Sequence, residues 1–367
     1  MKILFVNLSP LKFNAATPDT EPLGGTESCI CYLSRQLAAN GHDITLMTRL
    51  PEGFSGIAHG VRHQPVAAIK DKGFFDAEKF DIIISCNAPV ACPHLREISP
   101  QSKLLLWDHV LPEQAPMAEL ANPAVQQALD LIIYVSGWQR QATEKHFSIA
   151  KASRVVGNGF APVFENMFSS PEEILESKRN GAAYTATPYR GLSILLKAME
   201  GLKADMKLDV FSSMRVYQTG DEAHEGLFRE AAKDSRITLH GSIPQRELAQ
   251  KLKSAAFLTY PSVFQETFCI AALEAMAAGM KVIATRLGAL ETTTMGYADL
   301  VGVSSAEEII PAYRAAIERN VAAFLARPEE WAAAMFAQVQ AVNRACSWKV
   351  RSREWEQIFL ETAPRVS

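Results

Sequence analysis

The sequence predicts two α/β domains, each built around a doubly wound parallel sheet of the Rossmann-like kind. Short apolar segments of strand length alternate with helical segments along most of the chain. A polar and charged stretch at residues 166–181 interrupts this alternation once. The length of 367 residues suits two domains, because a single hydrophobic core rarely grows beyond about 250–300 residues.

The predicted elements follow in chain order. In the first half, strands are predicted at residues 2–7, 43–48, 81–86, 103–107, 131–136 and 154–156, with a helix at 26–40. In the second half, strands are predicted at residues 207–212, 236–240, 255–260, 281–285 and 300–303. Residues 307–340 have a helical pattern, and residues 348–361 form a last helix.

Composition excludes several classes of function. The net charge of −3 gives no reason to expect nucleic acid as a partner. No apolar run reaches the roughly 18–20 residues that span a bilayer, and the first residues turn polar too soon for a signal peptide. Six cysteines without C-x-x-C spacing indicate reduced core thiols rather than zinc ligands or disulfides. We therefore expect a cytoplasmic protein without a resident metal.

The segment PSVFQETFCIAALEAMAAGMKVIAT at residues 261–285 carries the clearest chemical pattern. It follows an apolar strand and predicts a loop, a helix that Thr267 caps, and a further strand. Ligands of such sheets bind beyond the carboxyl ends of the strands, and the free N–H groups of residues 267–270 would favour an anion there. Glu266 and Glu274 flank this helix start, at most about 12 Å apart if the stretch were wholly helical.

A second candidate for phosphate contact precedes the first long helix. Gly24 and Gly25 follow a long loop, and a glycine pair at a helix start lets backbone N–H groups approach a phosphate without side-chain obstruction. The dinucleotide fingerprint G-x-G-x-x-G is absent. A glycine turn followed by a helix cap is the alternative.

The two glutamates, with seven residues between them, resemble the signature of the retaining glycosyltransferases of the GT-B fold, in the large family-four group that uses nucleotide sugars. The resemblance implies two Rossmann-like domains facing a central cleft. It implies that Glu266 contacts the donor sugar and that Glu274 holds the ribose hydroxyls. It also implies that the last helix returns to the first domain. We therefore expect an N-terminal acceptor-side domain at 1–165 plus 348–367, a linker at 166–181 and a nucleotide-sugar-binding domain at 182–347.

Other residues match the same family pattern. Arg190-Gly191 matches the family's step of a basic residue and a glycine, in which the cation neutralises the leaving diphosphate. The usual second basic residue is missing near Thr185. Arg215 either takes its place or is a solvated charge. His109, at the end of a strand, matches a histidine that faces the transferred sugar, with Asp108 either orienting it or starting the loop. The remaining donor-binding residues implied by the resemblance are Gly24, Gly25, Ile243 for the base, and Thr267, Phe268, Cys269 and Ile270 at the helix start.

The resemblance therefore implies a metal-independent, retaining glycosyltransferase of the hexosyltransferase type. Glu266, His109 and Arg190 are its candidate catalytic residues, and no cofactor is expected beyond the nucleotide-sugar co-substrate. UDP-sugar is the favoured donor, with GDP- and ADP-sugars as alternatives. The acceptor is expected to be a carbohydrate, a lipid-linked molecule or a small molecule, in polysaccharide, lipopolysaccharide or glycoconjugate synthesis.

Three alternatives stay open at this point. A nucleotide-sugar 2-epimerase shares the architecture and would process UDP-sugar without an acceptor. A silent nucleotide-sugar-binding subunit would support a partner transferase. The basic residues of the segment 139–154 could touch an anionic membrane, although a solvated helix face explains them more simply.

Overall fold

The computed structural model describes residues 1–302 and 305–362, and the chain divides into two compact units. Unit 1 comprises Met1–Pro18, Gly25–Gly159 and Trp348–Ser367. Unit 2 comprises Asp19–Gly24 and Phe160–Ser347. The last helix thus belongs to the first unit, and the change from unit 1 to unit 2 falls between Gly159 and Phe160.

Each unit contains one sheet, and the strands are numbered in chain order. The strands are β1 Lys2–Asn7, β2 Asp43–Thr48, β3 Ile57–Ala58, β4 Val61–Pro65, β5 Ile82–Cys86, β6 Lys103–Asp108, β7 Leu131–Tyr134, β8 Ser153–Val155, β9 Arg179–Tyr184, β10 Lys207–Val210, β11 Ile237–Leu239, β12 Ala255–Tyr260, β13 Lys281–Thr285 and β14 Asp299–Val301.

The helices range from single turns to 21 residues. They are α1 Thr17–Thr20, α2 Gly25–Ala39, α3 Lys72–Glu78, α4 Cys92–Ile98, α5 Pro123–Ala128, α6 Gly137–Phe147, α7 Pro171–Ser177, α8 Leu192–Glu200, α9 Glu225–Ala231, α10 Gln245–Ser254, α11 Ile270–Ala277, α12 Leu290–Thr293, α13 Ala306–Ala326, α14 Pro328–Cys346 and α15 Trp348–Thr362. None of the helices described is long and apolar enough to cross a membrane.

The sheet of unit 1 has the order β3-β4-β2-β1-β5-β6-β7-β8, and only the β3–β4 pair is antiparallel. Strands β1 and β5 lie at its centre and are almost wholly buried, which agrees with their unbroken apolar sequences. The chain moves outward from β1 to β2 and later returns to β5 on the other side. This reversal makes the centre of the sheet a topological switch point.

The sheet of unit 2 is parallel throughout its paired strands, in the order β11-β10-β9-β12-β13-β14. The chain runs outward from β9 to β11 and then returns to β12 on the other side of β9. The switch point of this sheet therefore lies between the carboxyl ends of β9 and β12. Open α/β sheets bind their ligands at such points.

Most of the predicted strands are present, with ends shifted by a residue or two, and residue 303 lies outside the described residues. The main difference concerns residues 166–181, which the sequence suggested as a linker. They lie in unit 2, where they include α7 and the first half of β9. Strand β9 escaped prediction because its sequence, RNGAAY, is polar at first and then consists of small residues, whereas strands usually favour β-branched and aromatic ones.

Lys178, just before β9, has an unusual structural role. Its side chain is buried, and its Nζ donates hydrogen bonds to the carbonyl oxygens of Leu252 at 3.1 Å, Ala255 at 2.8 Å and Ala278 at 2.6 Å. These carbonyls lie at the ends of α10 and α11, where helices have no intrahelical donors left. One buried amino group, whose pKa burial lowers well below its usual value, thus joins both helix ends to the start of β9.

We expect Lys178→Met to destabilise unit 2 by roughly 2–4 kcal/mol, because three buried carbonyls lose their hydrogen-bond donor. Lys253→Met is the matched control, since Lys253 lies over the same Phe168 ring but is partly exposed in a surface ion pair with Glu173. It should cost less than about 1 kcal/mol. Urea unfolding curves of both variants measure the difference, and equal costs would contradict the capping role of Lys178.

Candidate functional site

The first component of the site is the loop that follows β12. Glu266 lies in this loop and is only 6% exposed. Its Oε1 accepts hydrogen bonds from the Tyr260 hydroxyl at 2.5 Å and from Ser262 Oγ at 3.4 Å, and it forms an ion pair with Arg190. A buried carboxylate is costly unless it is paired and hydrogen-bonded, and Glu266 meets both conditions.

Arg190 reaches Glu266 from the neighbouring loop, which follows β9. Gly191 has a φ of 104°, and a Cβ atom there would lie 2.0 Å from the carbonyl oxygen of Pro261. Only glycine permits this conformation together with such a close approach of two backbones. The Arg-Gly step seen in the sequence therefore has a structural reason: the glycine lets the loops meet, and the arginine bridges them.

Two aromatic rings flank the Arg190 guanidinium. Its Cζ lies 4.4 Å from the ring centroid of Phe264 and 5.7 Å from that of Tyr189. Burial alone would lower the pKa of Arg190, but the adjacent Glu266 carboxylate raises the pKa above its usual value. Arg190 is thus a fixed cation that already shares its charge with Glu266, a pairing that the sequence pattern did not predict.

The start of α11 differs from the prediction. Thr267 does not cap the helix, because the helix begins at Ile270 and its N-cap is Cys269, with a left-handed φ of 73° and no side-chain cap. Phe268 is fixed just before this turn, since its carbonyl oxygen accepts a hydrogen bond from the Thr293 hydroxyl. The first-turn N–H groups therefore begin at Ile270, and of the predicted range 267–270 only Ile270 belongs to the helix.

Glu274 lies on α11 and is 6% exposed. Its Oε1 accepts a hydrogen bond from the backbone N–H of Ala161 at 3.4 Å, and the side chain of Gln245 also hydrogen-bonds to it. Burial raises the pKa of Glu274 to about 7. Glu274 is therefore no solvated surface carboxylate, and near neutral pH it is divided between its ionised and neutral forms.

Two further predicted residues follow the next strands of the same sheet. Arg215 lies after β10, exposed, in a short 3-10 turn at Met214–Tyr217. Asp221 holds this turn, because its carboxylate accepts from the Met214 N–H at 2.6 Å and the Ser213 hydroxyl at 2.7 Å. Ile243 follows β11 and precedes Gln245, the residue that contacts Glu274. No pattern in the sequence pointed to Asp221 or Gln245 as parts of the site.

A cavity of about 470 Å³ opens beside the Glu266 loop, at the carboxyl ends of β12, β13 and β14. Ser262 lines it and also contacts Glu266, so the cavity and the carboxylate share one wall. None of the predicted donor-binding residues is among those that line the cavity. Four of them, Arg190, Arg215, Ile243 and Glu266, instead follow the carboxyl ends of β9, β10, β11 and β12.

His109 belongs to unit 1 and follows β6. Its backbone N–H donates to Asn87 Oδ1 at 2.8 Å, and its ring lies 4.3 Å from the Trp107 ring. Burial lowers the pKa of His109 to about 3, so its imidazole is neutral at physiological pH. Asp108 accepts a hydrogen bond from the Val110 N–H at 3.0 Å, as an aspartate that begins a loop does.

The glycine pair marks the start of α2. This helix begins at Gly25, which is exposed, whereas Gly24 is buried and falls within unit 2. The first turn also contains Glu27, a residue that the sequence did not single out. Glu27 is 7% exposed, and burial raises the pKa of its carboxyl.

The six cysteines are buried free thiols, as the sequence predicted. Within residues 1–302 and 305–362, no group of three or more His, Cys, Asp or Glu side chains is arranged to hold a metal ion.

Family models match both halves of the chain. Residues 23–162 match the model described as Glycosyltransferase Family 4, and residues 181–320 match that of Glycosyl transferases group 1.

Curated relatives match more distantly. A lipopolysaccharide 1,2-N-acetylglucosaminetransferase of Salmonella typhimurium is 25% identical over 241 residues, which are 62% of this chain and 60% of that protein. A D-inositol 3-phosphate glycosyltransferase of Xylanimonas cellulosilytica is 28% identical over 29% of this chain and 25% of that protein. The chain thus matches about three fifths of the first relative and a quarter of the second.

Solved structures cover nearly the whole chain. A sucrose-phosphate synthase from Thermosynechococcus elongatus has a TM-score of 0.74 at 19% identity, with 98% of each chain covered. Anabaena HepE, solved in complex with UDP-glucose, has a TM-score of 0.68 at 15% identity, with 98% of this chain and all of HepE covered (100%). At these identities the likeness shows the fold, which is GT-B: two Rossmann-like domains, each built on a parallel sheet. Together with the two family models, it shows that the chain belongs to the group 1 glycosyltransferases.

Proposed function

We propose that this protein is a retaining glycosyltransferase that moves a sugar from a nucleoside diphosphate donor to an acceptor hydroxyl. One observation carries the proposal. Four adjacent strands, β11, β10, β9 and β12, end in the loops that bear Ile243, Arg215, Arg190 and Glu266. Residues far apart in sequence thus form one row across the switch point of the sheet, where open α/β sheets bind nucleotides.

The chemistry of this row suits the parts of such a donor. The Glu266 carboxylate accepts hydrogen bonds from sugar hydroxyls, and Arg190 offers a planar cation to the diphosphate. Glu274, beside the loop of Ile243, accepts hydrogen bonds from ribose hydroxyls, and that loop meets the base through backbone groups. The Anabaena protein that shares this fold has been solved with UDP-glucose, which supports UDP-sugar as the first donor to test.

The reaction we propose proceeds on one face of the sugar. The bond between the anomeric carbon and the phosphate oxygen breaks, and its electron pair stays with the departing diphosphate. The acceptor oxygen bonds to the same carbon from the same side, and its proton passes to the departing oxygen. Arg190 and the first turn of α11 stabilise the growing negative charge. His109, buried and neutral, is proposed to meet the transferred sugar as a hydrogen-bonding group rather than as an acid.

The proposed reaction requires neither a dedicated protein base nor a divalent cation, because Arg190 and the first turn of α11 are proposed to meet the diphosphate charge. The expectations of metal independence, of no further cofactor and of a cytoplasmic location remain predictions. So do the acceptor, expected to be a carbohydrate, a lipid-linked molecule or a small molecule, and any peripheral membrane contact.

Incubation of the purified protein with UDP-, GDP- and ADP-sugars tests the proposal, with released nucleotide and new anomeric signals followed by NMR. We expect a donor with an α-anomeric bond to give an α-linked product, and activity to persist in excess EDTA. An inverted product would contradict the retaining mechanism. Activity lost with EDTA and restored by manganese would contradict metal independence. A sugar changed at C2 with no acceptor present would favour the 2-epimerase instead.

Glu274 should make nucleotide affinity depend on pH. Its folded-state pKa of about 7 lies above its ordinary value of 4.5, so burial favours the neutral form. Because ribose hydroxyls donate best to the ionised form, we expect nucleoside diphosphate affinity to rise between pH 6 and 8. Glu274→Gln should lose this rise. Titration calorimetry measures the affinity of both proteins over the same pH range, and because the ligand is the same, its own ionisation affects both proteins equally. A Gln variant with the same pH dependence would remove Glu274 from the nucleotide site.

The raised pKa of Glu274 also makes the stability of the folded protein depend on pH. The carboxyl of Glu274 contributes its stability below about pH 4.5, and that contribution is lost as pH rises through about 7. The thermal midpoint of the wild type should therefore fall relative to Glu274→Gln between pH 5 and 8. Burial also raises the pKa of Asp108 to about 7, but Asp108 is present in both proteins, so its contribution cancels in the comparison.

Gly288 should be essential for the position of Glu266. It has a φ of 61°, and a Cβ atom there would lie 2.3 Å from the Glu266 carbonyl oxygen. We expect Gly288→Ala to displace the Glu266 backbone and to lower transfer by roughly tenfold or more, since an error of about 1 Å in geometry can cost that much. Gly296→Ala is the control, because Gly296 has a φ of 79° but no atom within 4 Å of such a Cβ. Equal activity losses in the two variants would refute this explanation.

A further inference from the structure

Tyr260 is the last residue of β12 and is almost completely buried, at 2% exposure. Its hydroxyl donates to Glu266 Oε1 at 2.5 Å, and the Cys269 thiol hydrogen-bonds to the Tyr260 side chain. Burial, together with the Glu266 charge, raises the pKa of Tyr260 well above its usual value, so the hydroxyl keeps its proton. One buried group thus connects the end of β12, the Glu266 carboxylate and the N-cap of α11.

The hydrogen bonds to Glu266 are asymmetric. In the described part of the chain, Tyr260, Ser262 and Arg190 all contact Oε1, and no hydrogen bond reaches Oε2. A carboxylate offers about four acceptor positions, two on each oxygen. The protein therefore occupies one oxygen and leaves the other to accept from a ligand.

The donors to Oε1 differ in what else they do. Arg190 is also the cation proposed to meet the diphosphate, so its bond to Glu266 is shared once a donor is bound. The contact from Ser262 is longer, at 3.4 Å, and the single proton of its hydroxyl is nearer the Phe264 carbonyl, which it reaches at 2.9 Å. Tyr260 is rigid, because its ring is enclosed in the core beside Tyr184, with centroids 6.2 Å apart. It is the donor best placed to hold the carboxylate in one orientation.

We propose that Tyr260 is a positioning residue, which fixes Glu266 through Oε1 so that Oε2 receives a hydroxyl of the donor sugar. This inference rests on the proposed function. It makes a specific demand: removal of the Tyr260 hydroxyl must weaken recognition of the sugar and leave recognition of the nucleotide intact.

Tyr260→Phe tests this demand, because it removes one oxygen and keeps the ring. We expect kcat/KM for the donor to fall roughly tenfold to a hundredfold, as for loss of a hydrogen bond to a charged group. The Kd of the nucleoside diphosphate without sugar should change by less than about twofold, because that ligand has no group at Oε2. The two ligands compared are the nucleotide sugar that the wild type uses as a donor and the nucleoside diphosphate with the same base.

Tyr313→Phe is the matched control. Tyr313 is a fully buried tyrosine of unit 2, and its hydroxyl donates to the Ile283 carbonyl at 2.5 Å and also meets the backbone of Tyr260, so Tyr313→Phe disturbs the surroundings of Tyr260 but leaves the Tyr260 hydroxyl in place. The two variants therefore lose buried hydrogen bonds of equal length, and thermal midpoints report the structural cost of each. Tyr313→Phe should leave kcat/KM for the donor within about threefold of the wild type.

A double-mutant cycle shows whether Tyr260 acts through Glu266. We expect Tyr260→Phe to change the ratio of nucleotide-sugar to nucleoside diphosphate Kd in the wild-type background, and to change it by less than about twofold in Glu266→Gln. This ratio is measured by binding, so it remains accessible in variants that do not turn over.

Three outcomes overturn the inference. They are an unchanged kcat/KM in Tyr260→Phe, equal weakening of nucleotide and nucleotide sugar, and an undiminished effect in the Glu266→Gln background. A wild-type protein that binds none of the UDP, GDP and ADP ligands and transfers no sugar would instead overturn the proposed function, on which the inference rests. The two failures are therefore distinguishable.

Discussion

The ion pair between Arg190 and Glu266 is the interaction on which the rest of the candidate site depends. It joins the loop after β9 to the loop after β12, and these two strands flank the switch point of the second sheet. Gly191 makes the pair feasible, because any side chain there would collide with the backbone of Pro261. Topology brings the two loops side by side, glycine lets them touch, and opposite charges hold them together. A buried ion pair seldom adds net stability, so we ascribe to this pair the geometry that it imposes on the two loops.

The same cluster shows how an anionic ligand and a carboxylate can share one site. Glu266 partly neutralises Arg190 in the free protein, and the aromatic rings of Phe264 and Tyr189 limit where the guanidinium can move. An arriving diphosphate would meet a cation that is already oriented, together with the N-terminus of α11. Fixed charges that need no rearrangement when negative charge develops are an effective means of transition-state stabilisation. Within residues 1–302 and 305–362, a rigid cation thus lies beside a carboxylate whose Oε2 accepts no hydrogen bond, and we propose that the sugar binds there.

The sequence predicted the fold class and most of the strands, because apolar periodicity and turn residues report local structure directly. Strand β9 was missed, since its small residues become a strand only through their central place between β10 and β12. Likewise, Thr267 looked like a helix cap, but the tertiary contact of the Phe268 carbonyl and the left-handed Cys269 delay the helix. The ion-pair partner of Glu266 could not be predicted from the sequence either, because Arg190 lies 76 residues away in the chain. Local signals thus located the glutamates, and only the folded chain showed what holds them.

The central claim is that the carboxyl edge of the second sheet holds a nucleotide sugar. A crystal structure of the protein with a non-hydrolysable nucleotide sugar tests it most directly, with UDP, GDP or ADP chosen by thermal shift. We predict ribose hydroxyls within hydrogen-bond distance of Glu274, a sugar hydroxyl on Oε2 of Glu266, and the diphosphate between Arg190 and the start of α11. A nucleotide bound away from these strand ends, or a Glu274 carboxylate that contacts no ribose, would contradict the claim.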